Sequence, residues 1–128
     1  MNIDDPEVRR RLKSEQNIWV ATVRPDGRPH LTPAWFALHA GKVYVCIDPD
    51  SVKAHNLARN RQVALALEDG AAPLIVEGEA RPLEGAERPP GALDEFKRKY
   101  DWDIAAESQY SLLVEVTPKK VLSWGGGE

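Results

Sequence analysis

Apolar and polar positions along this chain repeat in two rhythms. Between residues 18 and 47 three runs rich in β-branched and aromatic residues follow one another at short intervals. They are Ile18 to Val23 (IWVATV), Pro29 to Leu38 (PHLTPAWFAL) and Lys42 to Ile47 (KVYVCI). Such residues fit pleated, half-buried surfaces, so each run predicts a strand. Arg24-Pro25-Asp26-Gly27-Arg28 turns the chain after the first run, with glycine free to take positive φ. Ala40-Gly41 turns it after the second. Further strands are predicted over Gln62 to Glu68 and Pro73 to Leu83, joined through Asp69-Gly70. A last strand is predicted over Tyr110 to Trp124, where the alternation is partial. Pro29 and Pro33 interrupt the second run. Proline cannot donate to a ladder, so that strand has an edge, a bulge or an unpaired side. A plain edge strand and a strand whose free side faces a ligand meet this condition equally well.

The second rhythm is helical. Asp5-Pro6-Glu7 sets an aspartate cap, a proline in the first turn and a carboxylate near the positive end of the dipole. Val8 and Leu12 then lie four apart as a buried stripe, and Arg9-Arg10-Arg11 reads as a solvated face. Ser51 to Asn60 predicts a short helix capped by Asp50 or Ser51, with Lys53 in its first turn. Ala92 to Tyr100 predicts another, with Leu93 and Phe96 facing inward. Arg81 to Gly91 is rich in proline, glycine and glutamate and reads as a loop. No repeat or linker divides the chain, so residues 1–128 are expected to form one domain. Antiparallel strands with two or three short helices imply a mainly β, α+β architecture, a barrel with helical plugs.

Composition narrows the function classes. The 128 residues suit one core. Charged residues at 29% and apolar ones at 42% describe a globular chain rather than a disordered one. The net charge of -3, with Lys and Arg dispersed, argues against nucleic acid as a partner. No apolar run approaches ~18 residues and the amino terminus has no apolar signal core, so no membrane partner and a cytoplasmic location are expected. One cysteine excludes an internal disulfide and a cysteine-built metal site.

Candidate chemistry is sparse. No G-x-S-x-G elbow is present. His30, His39 and His55 show no metal-ligand spacing, and no metal is expected. His39 falls in a turn and reads as solvated, and His55 reads as a residue of a polar helix face. His30 opens the proline-bearing strand and suits a structural or a ligand-facing role equally. Cys46, inside an apolar strand, reads as a small buried hydrophobe. Catalysis would therefore need a cofactor that carries the chemistry itself. A flavin fits. Its phosphate needs cations and helix N-terminal amides, which Ser51 and Lys53 supply. Its ring needs backbone donors and acceptors, which an extended Thr32-Pro33-Ala34-Trp35 offers without special side chains. Asn56 would orient the phosphate loop or bind a phosphate oxygen. On spacing alone, a cap and two solvated residues is the simpler reading of Ser51, Lys53 and Asn56.

The order of these pieces resembles the flavin-binding split β-barrel family related to pyridoxamine 5'-phosphate oxidase. The resemblance is carried by the apolar first strand, the R-x-D-G-x-P turn, HLTPAWF, KVYVCI, the S-x-K-x-x-N-L segment from Ser51 to Leu57, RVALAL-like Arg61 to Leu67 and VEGEARPL from Val76 to Leu83. It implies an antiparallel split β-barrel of Greek-key type and a homodimer holding cofactors at the subunit interface. It implies FMN, or alternatively the deazaflavin coenzyme F-420, and oxidoreduction of a small molecule by hydride or electron transfer. It places the cofactor against His30, Thr32, Pro33, Ala34, Trp35, Ser51, Lys53 and Asn56. Two departures matter. Ser51-Val52-Lys53 lacks the arginine of many relatives, which implies either a weaker phosphate affinity or substitution by Arg28 or Arg59. The arginine-rich carboxyl-terminal segment of the oxidase is also missing, so pyridoxamine 5'-phosphate is not the expected substrate. Gly125 to Gly127 read as a flexible tail. The rival expectation is a non-catalytic barrel that binds flavin or haem.

Overall fold

A computed structural model describes residues 1–124, and the Gly125 to Gly127 expectation lies outside them. Seven strands form: β1 (Ile18–Val23), β2 (Pro29–Ala34), β3 (Phe36–His39), β4 (Lys42–Ile47), β5 (Gln62–Leu67), β6 (Leu74–Leu83) and β7 (Leu112–Ser123). Three helices accompany them: α1 (Pro6–Ser14), α2 (Val52–Arg59) and α3 (Pro90–Tyr100). The predicted second strand is two strands, broken at Trp35. β2 pairs only with β1, through Trp19↔Pro33 and Ala21↔Leu31 among others. β3 pairs with β4. The sheet order is β2-β1-β5-β6-β7-β4-β3, so strands adjacent in sequence lie at its two opposite ends. The sheet curls until those ends meet at a single residue. Strands β4 to β7 make the Greek key, because β4 lies beside β7 while β5, β6 and β7 follow one another. This is the antiparallel split barrel implied by the order of the sequence motifs.

The barrel is filled by inward positions of successive strands, among them Val20, Leu65, Val76, Val114, Val45 and Phe36, all 0–1% exposed. α1 adds Val8 and Leu12, and α2 adds Ala54 and Leu57. A second cluster lies under α3, where Phe96, Ala92 and Ile104 pack on Tyr44, Cys46 and Leu113. β6 and β7 are held close at a register shift beside Gly78, whose added Cβ would lie 2.2 Å from the Thr117 carbonyl oxygen.

Several local expectations change. Asp5 occupies the cap position of α1 but makes no side-chain cap bond. Arg11 is not solvated like Arg9 and Arg10. It donates to the Ala72 carbonyl at 2.8 Å and to Glu15 at 2.7 Å, tying α1 to the loop before β6. His39 is half-buried rather than solvated, lying against Gly91 at the start of α3 and tilted toward the Tyr44 ring. The last strand begins at Leu112, two residues later than Tyr110. No helix among the described residues is long and apolar enough to cross a membrane.

Candidate functional site

The joint between β2 and β3 opens into a cleft of about 560 Å³. Its walls come from four places. Pro33, Ala34 and Trp35 supply the free edge of β2 and the joint itself. Cys46, Ile47 and Asp48 supply the end of β4. Ser51 and Lys53 supply the start of α2, and Trp102, Glu107 and Tyr110 come from the segment after α3, with Asn17 at the margin.

One end is cationic. Ser51 is the N-cap of α2 and its hydroxyl accepts from the Ala54 amide at 3.2 Å. That leaves the Val52 and Lys53 amides without an intrahelical acceptor, at the positive end of the helix dipole. The Lys53 ammonium donates to Thr32 Oγ1 at 2.8 Å. Partial burial lowers its pKa. Thr32 itself does not line the cleft; it holds Lys53 from the side. Asn56 is buried below, where Nδ2 donates to Thr22 Oγ1 at 3.0 Å, so its role is to pin α2 to β1 rather than to face the cleft. His30 also lies outside the cleft. Its Nδ1 is buried without a partner, and burial, then the Arg24 and Lys53 charges, lower its pKa. Neither Arg28 nor Arg59 reaches this end. Arg28 pairs with Asp26 at 2.7 Å across the β1–β2 turn, and Arg59 closes the far end of α2.

The other end is aromatic and acidic. The Trp35 indole stacks on Tyr100, with centroids 4.3 Å apart and planes 5° from parallel. Trp102 meets Trp35 edge-on at 5.6 Å. Tyr100 also fixes the joint, because its hydroxyl accepts from the Phe36 amide at 3.0 Å and lies 2.8 Å from the Gln16 carbonyl oxygen. Lys99 reinforces this, donating to the Phe36 carbonyl at 3.0 Å and to the Leu12 carbonyl at 3.2 Å. Burial, then the Arg98 charge, pull its pKa down to about 8. Glu107 is held by three donors: the Gln109 and Tyr110 amides and the Trp102 indole N–H. The Tyr110 amide, then Trp102, keep its carboxyl below the ordinary value. Cys46 also lines the cleft, and burial pushes its thiol up to about 12, which favours the protonated form.

Of the eight residues expected at a cofactor site, five line one cleft: Pro33, Ala34, Trp35, Ser51 and Lys53. Thr32 and Asn56 support it from outside, and His30 lies apart from it. Sequence reasoning missed Glu107 and Tyr110 and left Trp102 unassigned. A tryptophan and a tyrosine inside the polar run DWDIAAESQY are the signal that could have found them.

A family profile described as Pyridoxamine 5'-phosphate oxidase matches residues 4–125. Solved structures with the same architecture include a conserved hypothetical protein, Rv2991, of Mycobacterium tuberculosis. It is 26% identical, with a TM-score of 0.76 over 95% of this chain and 84% of that one. The heme storage protein HutZ of Vibrio cholerae is 20% identical, with a TM-score of 0.78 over 98% of each chain. An F420 reductase is 24% identical, with a TM-score of 0.68 over 87% of this chain and 92% of that one. No curated protein matches the sequence.

Proposed function

We propose that this chain, which belongs to the pyridoxamine 5'-phosphate oxidase family, is an FMN-dependent oxidoreductase of a small molecule, with F-420 as the alternative cofactor. One observation carries the reading. A single cleft joins an incompletely satisfied lysine at a helix start to the unpaired edge of a proline-bearing strand. The residues fit the group. Lys53 has three donor hydrogens and spends one on Thr32, leaving two for phosphate oxygens beside the Val52 and Lys53 amides. Along β2 one side of the backbone pairs with β1 through Pro33 and Ala34, and the other side faces no strand of the sheet, so a flat ring would find main-chain groups there rather than a second ladder. When bound, the flavin supplies hydride or electron transfer through its ring. The chain's own residues bind, orient and shield it: Lys53 balances charge, Tyr100 and Lys99 fix the joint, and the aromatic segment excludes water.

The homodimer belongs to the same reading. Pro33 lines the cleft and pairs with Trp19 on the outward face of β1 and β2, where Leu31 is 59% and Trp19 38% exposed. Ala21, Ala64 and Ala66 continue that face without charge. A second copy covering it would bring its surface to the mouth of the cleft. The haem reading, suggested by the heme storage protein, is less well supported, because none of the three histidines lines the cleft. The test is the absorption spectrum of freshly purified protein, mass spectrometry of the released cofactor and titration of the apo-protein with FMN and F-420. A two-band flavin spectrum or saturable binding of either cofactor is expected. A Soret band, or no binding of either, overturns the reading.

A further inference from the structure

We propose that the aromatic end of the cleft receives a planar ring carrying no negative charge, as the substrate class of this site. The proposal rests on the reading that a cofactor phosphate occupies the α2 end. Lys53 is the only cation among the described residues that line the cleft. A phosphate bound there removes it from any further recognition. What remains is two carboxylates, Asp48 and Glu107, and three aromatic rings.

Glu107 is not a flexible surface acid. Its two oxygens take the Trp102 indole N–H at 3.0 Å and the Gln109 and Tyr110 amides at 2.9 and 3.1 Å. These bonds favour the ionised form. They also make the carboxylate and the aromatic wall one unit, because the same contacts fix Trp102 and Tyr110. Tyr100 covers one face of Trp35, yet Trp35 is still 45% exposed and lines the cleft, so its other side is available for stacking. Tyr110, 46% exposed, borders the opening. A flat neutral ring gains contact on this wall, and a cationic one gains attraction to Glu107 and to the ring faces. An anionic ring meets the fixed Glu107 carboxylate, with Asp48 also in the lining, and no cation besides Lys53 among the described residues that line the cleft, a like-charge approach that selects against it. A phosphorylated pyridine would have to compete with the cofactor for Lys53.

Three probes with one ring and different charges test this: 2-naphthylmethanol, 2-naphthylmethylammonium and 2-naphthoate. Their dissociation constants are measured by calorimetry on FMN-saturated wild type, Glu107→Gln and Tyr110→Ala, at low and high salt. The neutral and cationic probes are expected to bind the loaded protein without displacing FMN. Naphthoate should bind at least about tenfold more weakly than the alcohol, and the gap should shrink at high salt. Glu107→Gln should narrow the ratio of naphthoate to alcohol affinity, and that ratio is the readout because loss of the carboxylate's bonds to Trp102 and Tyr110 changes the wall for all three probes. Tyr110→Ala should weaken all three alike, by about threefold to tenfold. Equal binding of naphthoate and the alcohol overturns the proposal. So does displacement of FMN by the alcohol, because the cofactor ring would then occupy the aromatic end. If FMN does not bind, the cofactor reading fails separately. The same probes on Lys53→Ala protein, whose cleft has no cation among the described residues, then decide the charge preference alone. The salt dependence of wild type gives the answer even if a variant folds poorly.

Discussion

Tyr100→Phe isolates the bond that holds the barrel's joint. The ring remains, so stacking on Trp35 at 4.3 Å is kept and only the hydroxyl is lost. That hydroxyl accepts from the amide of Phe36, a residue with no exposed surface, and lies within hydrogen-bond reach of the Gln16 and Phe36 carbonyls. The Phe36 carbonyl keeps Lys99 as a donor, whereas the amide loses the Tyr100 hydroxyl as its acceptor. Leaving one buried amide unpaired costs about 1–3 kcal/mol. For a chain of this size each kcal/mol lowers the melting temperature by roughly 3–6 °C. The midpoint of ~2 kcal/mol therefore corresponds to a fall of roughly 6–12 °C. Urea unfolding followed by fluorescence should show a lower midpoint with an unchanged slope, because the surface exposed on unfolding is the same. A loss below about 0.5 kcal/mol would refute the reasoning. It would mean that water reaches the Phe36 amide and that the joint is not sealed. Tyr100→Leu, which also removes the stack, should cost about 0.5–1.5 kcal/mol more.

Lys53→Ala should weaken FMN or F-420 binding by roughly tenfold to over a hundredfold, the worth of ~1.5–3 kcal/mol for a charge-assisted contact, with little change in melting temperature. Unchanged affinity for both cofactors would remove Lys53 from the site. Leu31→Asp should convert the proposed dimer to a monomer in sedimentation at micromolar concentration, since Leu31 stands exposed beside Ala21 on the uncharged stretch formed by β2, β1 and β5. Wild type that sediments as a monomer with cofactor bound would contradict the dimer. The chain should also lose stability in acid through Glu115. Burial raises its carboxyl, but the Tyr44 hydroxyl at 2.9 Å and the Lys42 and Arg81 charges outweigh that and hold it below 4.5. A lowered folded pKa gives stability that is present above the unfolded value and lost as pH falls through the folded one. Thermal melts below pH 4.5 should therefore fall more steeply for wild type than for Glu115→Gln, and parallel curves would show that Glu115 adds nothing.

The barrel was legible because its strands alternate or run apolar and its turns are marked by glycine. The break at Trp35 was not. From Ala34 to Leu38 no glycine, proline or polar residue marks the break, and only the partners of β2 and β3, far apart in the sheet, distinguish one strand from two. Periodicity carries no information about partners. The cationic end of the cleft was legible for a local reason: Ser51 caps its own helix and Lys53 lies two residues on. Asn56 misled because a polar residue on a short helix looks solvated or ligand-facing, whereas its partner, Thr22, is 34 positions away. His39 misled for the same reason, its neighbour Gly91 belonging to a distant helix. The acidic wall was invisible because Glu107 is defined by the indole and amides it accepts from, and DWDIAAESQY has no periodicity to set them.

The position of the site follows from how the barrel closes. A sheet whose ends were hydrogen-bonded to each other would have no free edge. Here β2 and β3 are the two end strands, and covalent continuity through Trp35, not a ladder between them, brings the ends together. Strand β2 therefore carries an unpaired side that no other strand of the sheet covers. Left alone, such an edge invites pairing with another chain. Pro29 and Pro33 blunt that hazard by removing two donors. The two prolines leave a rigid stretch of backbone beside an aromatic ring and a lysine, held on one side by the ladder to β1 and at its end by the bonds of Tyr100 and Lys99 to Phe36. A flat ligand can satisfy that backbone without competing against a ladder. The feature that keeps the barrel split thus also leaves β2 with a main-chain edge that the proposed ligand would use, while its side chains keep separate tasks, Thr32 holding Lys53 from the side.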